Sequence, residues 1–191
     1  MIKKFYEPKN IWFSGGVESS LLLYFLLSQQ PNTKTHIFTI VERRTNYHML
    51  RPVNNVIQWC INKTSNLNID HIINYIEDKN ENEKYLEIMY NEYKNGYVTC
   101  FGVNANPPHM QWDGPKYDPR SSKGKKSVWM HNKSIYAPFI NIDKKDIVNL
   151  YKKNNLVELY NLTFTCDEPV AGNKPCKECG ACKEREYGEG R

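Results

Sequence analysis

The sequence predicts an α/β fold, a largely parallel sheet flanked by helices, with a small C-terminal tail ordered by a metal. Three observations carry this. Short apolar runs alternate with segments of helical period, the order in which parallel sheets are built. A turn of Ser14, Gly15 and Gly16 joins the first apolar run directly to the first helical segment. Four of the six cysteines, Cys166, Cys176, Cys179 and Cys182, crowd towards the C-terminal end.

The elements follow in order. Ile11, Trp12 and Phe13 predict a first strand. Residues 18–27 are apolar on nearly every side, which predicts a buried helix of the kind that covers a parallel sheet. Pro31 and Asn32 break that pattern, and residues 36–41 read as a second strand. Met49, Val53, Val56, Ile57, Cys60 and Ile61 recur at helical spacing and predict a helix over 50–63. Residues 69–76 read as a third strand. Tyr85, Leu86, Ile88, Met89 and Tyr93 mark a further helix, and 97–103 a fourth strand. Residues 104–134 have no period and hold Pro107, Pro108, Gly114, Pro115 and Gly124. An aperiodic stretch of ~30 residues in a compact domain is usually functional or mobile. Residues 135–139 suit a short fifth strand. Asp143 is placed to cap a helix reaching about residue 154, with Asp146 in the capping-box position. From Cys166 onward the chain is turn-rich. The expected division is an α/β domain over 1–162 and a zinc-binding segment over 163–191.

Bulk composition narrows the function class. A chain of 191 residues fits one domain with a small appendage. Hydrophobic residues at 40% and charged residues at 25% are ordinary for a globular chain, and 13% aromatics argue against disorder. The net charge of +5 suits an anionic ligand or nucleic acid without proving either. Arg43-Arg44 and the run from Lys123 to Lys126 read equally well as solvated surface. No segment is long and apolar enough to span a membrane. No signal-peptide pattern follows the basic start, so a cytoplasmic protein is expected. In that compartment clustered cysteines suggest a metal rather than disulfides.

Two sites stand out. At the Ser14 turn, free N–H groups at a helix start face outward and the helix dipole favours an anion. Glycines let the backbone approach phosphate oxygens, and Ser14, Ser19 and Ser20 add hydroxyls. No G-x-x-x-x-G-K loop and no G-x-G-x-x-G is present, so neither a P-loop NTPase nor a dinucleotide site is supported. At the other end, nine residues separate Cys166 from Cys176, and two separate each of the next pairs. Thiolates at that spacing can wrap one tetrahedral zinc, with all four positions filled and none left for a catalytic water. Two disulfides, or an iron–sulfur cluster, are the rival readings. Cys60 and Cys100 read as core residues.

These residues resemble a family, the 7-cyano-7-deazaguanine synthases (QueC or ExsB) among the PP-loop, N-type ATP pyrophosphatases. The run Phe13-Ser14-Gly15-Gly16-Val17-Glu18-Ser19 is similar to F-S-G-G-x-D-S. Gly102-Val103-Asn104-Ala105 reproduces G-V-N-A. The stretch from Pro138 to Ile147 resembles P-L-x-x-x-x-K-x-E-I, and Thr165-Cys166 with Cys176 to Cys182 and Arg185 resembles the zinc tail. The resemblance implies a Rossmann-like fold of the adenine nucleotide alpha hydrolase type. It implies a ligase that uses ATP, with Mg²⁺ and a structural zinc, to join 7-carboxy-7-deazaguanine and ammonia in queuosine biosynthesis. By that resemblance Phe13, Ser14, Gly15, Gly16, Val17, Glu18, Ser19, Ser20, Leu21, Gly102 and Asn104 form the nucleotide site. Ser14, Lys144, Asp118 and Arg120 are the candidate catalytic residues. Asp118 would accept from the purine edge and Arg120 would pair the substrate carboxylate. Arg43 and Arg44 fall where the family has a basic segment. The implied partners are small molecules, with no membrane, no expected nucleic acid, and a homodimer as one possible assembly.

Three departures bear on the substrate. Glu18 stands where the family has aspartate, the loop over 106–112 has no close counterpart, and the chain is short for the family. Other readings are therefore carried alongside. One is a variant that stops at the amide or conjugates the base. Another is an RNA sulfur-transferase needing a cysteine such as Cys100. A third is a decayed zinc module using Trp112, Tyr117 and Trp129 on nucleic acid.

Overall fold

The computed structural model describes residues 9–43, 47–77, 97–108, 135–171 and 174–190. Labels below number the described elements in chain order. Five strands form one sheet: β1 (Lys9–Trp12), β2 (Thr35–Glu42), β3 (Ile69–Ile76), β4 (Val98–Phe101) and β5 (Ile135–Tyr136). Their order is β3-β2-β1-β4-β5, and every pair is parallel. The chain thus steps outward from β1 to β3, then returns to the other side of β1 for β4. The carboxyl ends of β1 and β4 therefore flank the topological switch point, where open α/β sheets form their ligand crevice.

Register fixes which side chains share a face. Ile11 lies opposite Ile37 and Cys100, and all three are fully buried. Helix α1 (Val17–Gln29) covers them and buries Val17, Leu21, Leu22, Leu23, Leu26 and Leu27. A helix with water on one side would show a polar stripe, and the absence of one at 18–27 follows from this burial. Helix α2 (Leu50–Thr64) is amphipathic and packs Val53, Val56, Ile57 and Cys60 inward. On the opposite sheet face Trp12 sits between Phe38 and Phe101, at ring separations of 6.5 and 6.4 Å.

The C-terminal part holds more helix than its turn-rich sequence suggests. Helix α3 (Lys144–Lys153) opens with the expected box: the Asp143 carboxylate accepts from Asp146 N–H, and the Asp146 carboxylate from Asp143 N–H. Helices α4 (Val157–Leu162) and α5 (Gly180–Glu189) follow. Sequence reading missed both. Helix α4 is under two turns long, and α5 carries two glycines, poor helix formers, and little apolar period of its own. Packing against α3 buries its Glu184 and Tyr187 instead.

Two strands are shorter than expected. β4 ends at Phe101, because the chain turns at Gly102 to pass beneath the start of α1. β5 ends at Tyr136, two residues before Pro138, which has no N–H to extend a ladder. The helix expected near 85–93, and the part of the aperiodic loop over 109–134, lie outside the described residues. Among those described, no helix is long and apolar enough to cross a membrane.

Candidate functional site

A cleft of about 350 Å³ opens at the switch point. The turn after β1 forms one wall. Gly15 takes a φ of +73°, and Gly16 is the N-cap of α1 with extended backbone. By position the N–H groups of the first helical turn have no carbonyl within the helix and face the cleft, where the helix dipole is positive. Ser14 is exposed at the mouth. Its hydroxyl takes the Gly16 N–H at 3.3 Å and lies 3.2 Å from the Ser19 hydroxyl. Ser19 also donates to the Gly16 carbonyl at 3.3 Å.

The segment after β4 forms the floor. A Cβ on Gly102 would stand 2.5 Å from the backbone nitrogen of Ser19 and 2.8 Å from the Glu18 carbonyl carbon. Backbone meets backbone there, so only glycine fits. Gly102 lets the exit of β4 and the N-terminus of α1 close on one another. Asn104 continues the floor and is 3% exposed.

Lys144, the first residue of α3, brings the cation. It is 4% exposed, and its ammonium pairs with the Glu18 carboxylate of α1. A second carboxylate, Glu184 of α5, lies 3.9 Å from Lys144 Nζ and accepts from Asn104 Nδ2 at 2.9 Å. The cleft floor is therefore a buried cluster of one ammonium, two carboxylates and a carboxamide. Tyr151 of α3 donates to the Val17 carbonyl at 2.6 Å, which ties α3 to the start of α1. Burial, then the nearby Glu18 charge, hold that phenol well above its ordinary range.

Of the residues expected from sequence, Ser14, Gly16, Glu18, Gly102, Asn104 and Lys144 line the cleft. Phe13, Val17 and Leu21 do not; their side chains pack in the core at 0–2% exposure. Ser20 is buried within α1. Arg43 points elsewhere, pairing with Glu77 at 3.4 Å and stacking over Tyr75 at the sheet edge. Asp118, Arg120 and Arg44 lie outside the described residues, as do Trp112, Tyr117 and Trp129. Thr39, Thr165, Asp167 and Glu184 also line the cleft and were not anticipated. Glu184 had one signal, its place two residues beyond a cysteine of the cluster.

The four C-terminal thiols converge. Their sulfurs all lie within 4.8 Å of one another, and the Cys176–Cys182 and Cys179–Cys166 pairs are 4.0 Å apart. Four thiolates at a Zn–S distance of about 2.3 Å in a tetrahedron would stand about 3.8 Å apart. The sulfurs are not bonded to each other, which removes the disulfide reading. Backbone N–H groups of Cys179 and Glu178 point at the Cys176 sulfur from 3.3 and 3.4 Å and lower its pKa to about 7. Lys177, between Cys176 and Glu178, holds a left-handed φ of 67°, a strained state for a residue with a side chain. The donor set and spacing fit a zinc ion. Arg185, on the same helix as Cys182, closes the end of α4 by donating to the carbonyls of Thr163 and Tyr160 at 3.0 and 3.2 Å.

Cys60 and Cys100 are fully buried, and burial pushes both thiols up to about 12. Neither supplies a thiolate near neutral pH.

Known proteins resemble this chain in sequence and in fold. Residues 122–189 match a family model described as "Queuosine biosynthesis protein QueC". A stretch of 51 residues is 43% identical to the 7-cyano-7-deazaguanine synthase of Archaeoglobus fulgidus. It spans 27% of this chain and 20% of that synthase. The NMN synthetase of Francisella tularensis has a similar fold, with a TM-score of 0.50 at 14% identity over 95% of this chain and 76% of that one. Residues 122–189 thus resemble the QueC family, the synthase-like stretch points the same way, and the parallel sheet has a fold similar to that of the NMN synthetase.

Proposed function

We propose that the chain is an ATP-dependent carbon–nitrogen ligase that converts 7-carboxy-7-deazaguanine and ammonia to 7-cyano-7-deazaguanine. One observation carries the reading. The N-terminus of α1, the glycine exit of β4 and the buried Lys144 ammonium meet in one cleft at the switch point of a parallel sheet. Helix-start N–H donors beside one buried cation suit a polyphosphate.

The chemistry runs as two activations. A carboxylate is a poor electrophile, so its oxygen first attacks the α-phosphorus of ATP and pyrophosphate leaves. The nitrogen of ammonia then attacks the acyl carbon, AMP leaves with the C–O bond, and a proton is lost to give the amide. The amide oxygen attacks a second α-phosphorus, again releasing pyrophosphate. Loss of AMP and of the amide protons gives the nitrile. In this scheme the residues from Ser14 to Ser20 bind the phosphates through backbone N–H and hydroxyl donors. Lys144 neutralises charge at the α-phosphate. Asn104 borders the acyl group, and Asp118 with Arg120 hold the base and its carboxylate. Glu18 is the carboxylate that would hold the Mg²⁺ bound with the nucleotide. Zinc at the four thiols would hold the α5 segment in place and take no part in the reaction.

Mass spectrometry of products from 7-carboxy-7-deazaguanine, ATP and ammonia tests the reading. The nitrile is the expected product. The amide alone would shorten the reaction to its first half. No deazaguanine product from a folded, metal-loaded protein would sink it.

A further inference from the structure

The thiol cluster and the cleft share a helix. Cys179 is the N-cap of α5 and Cys182 lies in its first turn. Two residues further on, Glu184 leaves the cluster behind and enters the cleft floor, 6% exposed. Helix α5 reaches this depth because Gly188 has no side chain: a Cβ there would stand 2.5 Å from Lys144 Cγ. Lys144 is thus gripped along its length, its stem against α5 and its ammonium between Glu18 and Glu184. The same Glu184 oxygen holds the Asn104 carboxamide at 2.9 Å.

A buried carboxylate is a poor neighbour for a polyphosphate. It adds negative potential where anionic oxygens must sit, and the low dielectric of the floor strengthens that repulsion. Its benefit lies elsewhere. Two flexible donors, a lysine ammonium already paired with Glu18 and an asparagine amide, share Glu184 as an acceptor, and preorganised donors are what stabilise charge in a transition state.

We propose that Glu184 is a positioning residue of the cleft: it aims Lys144 and Asn104 at the reacting phosphate and acyl group, and weakens ground-state nucleotide binding in doing so. This rests on the ligase reading above. It predicts a split that damage to the fold would not produce. In Glu184→Gln the amide oxygen still accepts from Asn104, while one of the two charges that flank the Lys144 ammonium is lost. Turnover, read as pyrophosphate release, should fall about tenfold or more. The Kd for α,β-methylene ATP with Mg²⁺, read by calorimetry, should stay equal or tighten several-fold, because a like charge has left the anion site. Metal content should equal that of the wild type, and Glu186→Gln, on the other side of α5, should match the wild type in both readouts.

Unchanged turnover in Glu184→Gln overturns the proposal and leaves the ligase reading standing. A parallel loss of analogue affinity and turnover also overturns it, since Glu184 would then serve only to hold the fold. A wild-type protein that neither binds the analogue nor releases pyrophosphate overturns the ligase reading and this proposal together.

Discussion

Lys9 opens β1 buried from solvent, and among the described residues its ammonium has no hydrogen-bond partner. Burial lowers its pKa from 10.5 to about 8, with Cys100 nearby pulling slightly the other way. Between those two values the unfolded chain binds more protons than the folded one, so stability rises with pH across that window. Below about pH 8 the whole cost is present, on the order of 3 kcal/mol. Lys9→Met, of similar shape and uncharged, should therefore stabilise the protein at pH 7, and the advantage should shrink towards pH 10. Urea midpoints at the two pH values check this; equal midpoints for variant and wild type at pH 7 would refute it. Lys144 is the opposite case, a buried cation with partners. Lys144→Met leaves Glu18 and Glu184 uncompensated, which costs about 3–5 kcal/mol in stability when a buried pair is broken. Its turnover should fall about 100-fold on the ligase reading, measured as pyrophosphate release at a temperature where the variant is folded. Glu18 reads as an oddity in sequence, one methylene longer than the family's aspartate. In the fold that extra length reaches Lys144, a contact between residues far apart in the chain.

At the level of elements, the exit of β4 and the start of α1 depend on Gly102. Gly102→Ala places a methyl 2.5 Å from a backbone nitrogen that cannot rotate away. The helix start must move, so the variant should lose several kcal/mol of stability and at least about tenfold in nucleotide affinity, since preorganised N–H donors are displaced. Chemical denaturation with analogue calorimetry separates the two effects. Besides the Lys144–Glu18 pair, α3 is tied to α1 by a hydrogen bond from Tyr151 to the Val17 carbonyl. Tyr151→Phe leaves that buried carbonyl without its donor and should lower stability by about 1–3 kcal/mol, seen as a lower Tm. Much at this scale was legible from local chemistry. The apolar run of α1, the helical spacing of apolar residues in α2 and the Asp143–Asp146 box each appeared where expected, because propensity, period and capping are properties of neighbouring residues. Helices α4 and α5 were not legible. Their few apolar residues meet α2, α1 and α3, and contact with distant elements, not period, decides their form.

Across the whole molecule the two ends of the chain are coupled. The thiol cluster anchors α5, α5 carries Glu184 to the cleft, and Arg185 on the same helix closes α4. On the zinc reading of that cluster, a strong chelator should therefore do more than free a tail. Folding energy is lost with the metal, and a fall in Tm of about 10 °C is expected. Affinity for α,β-methylene ATP should change in step, whereas an isolated appendage would leave it untouched. The order of the described strands and of α1 to α3, the parallel α/β class, the turn at Ser14 and the four-cysteine cluster were all legible in the sequence alone. Each depends on residues within one short segment, or on a period that any segment carries with it. The tertiary structure alone decided that the turn, Gly102, Lys144 and Glu184 share one cleft. It also decided that Phe13, Val17 and Leu21 turn to the core and that the thiol-bearing helix supplies a carboxylate to the floor. Those include contacts between residues as far apart in the chain as Glu18 and Lys144; spacing along a chain says nothing about such distances until the sheet has closed its crossovers.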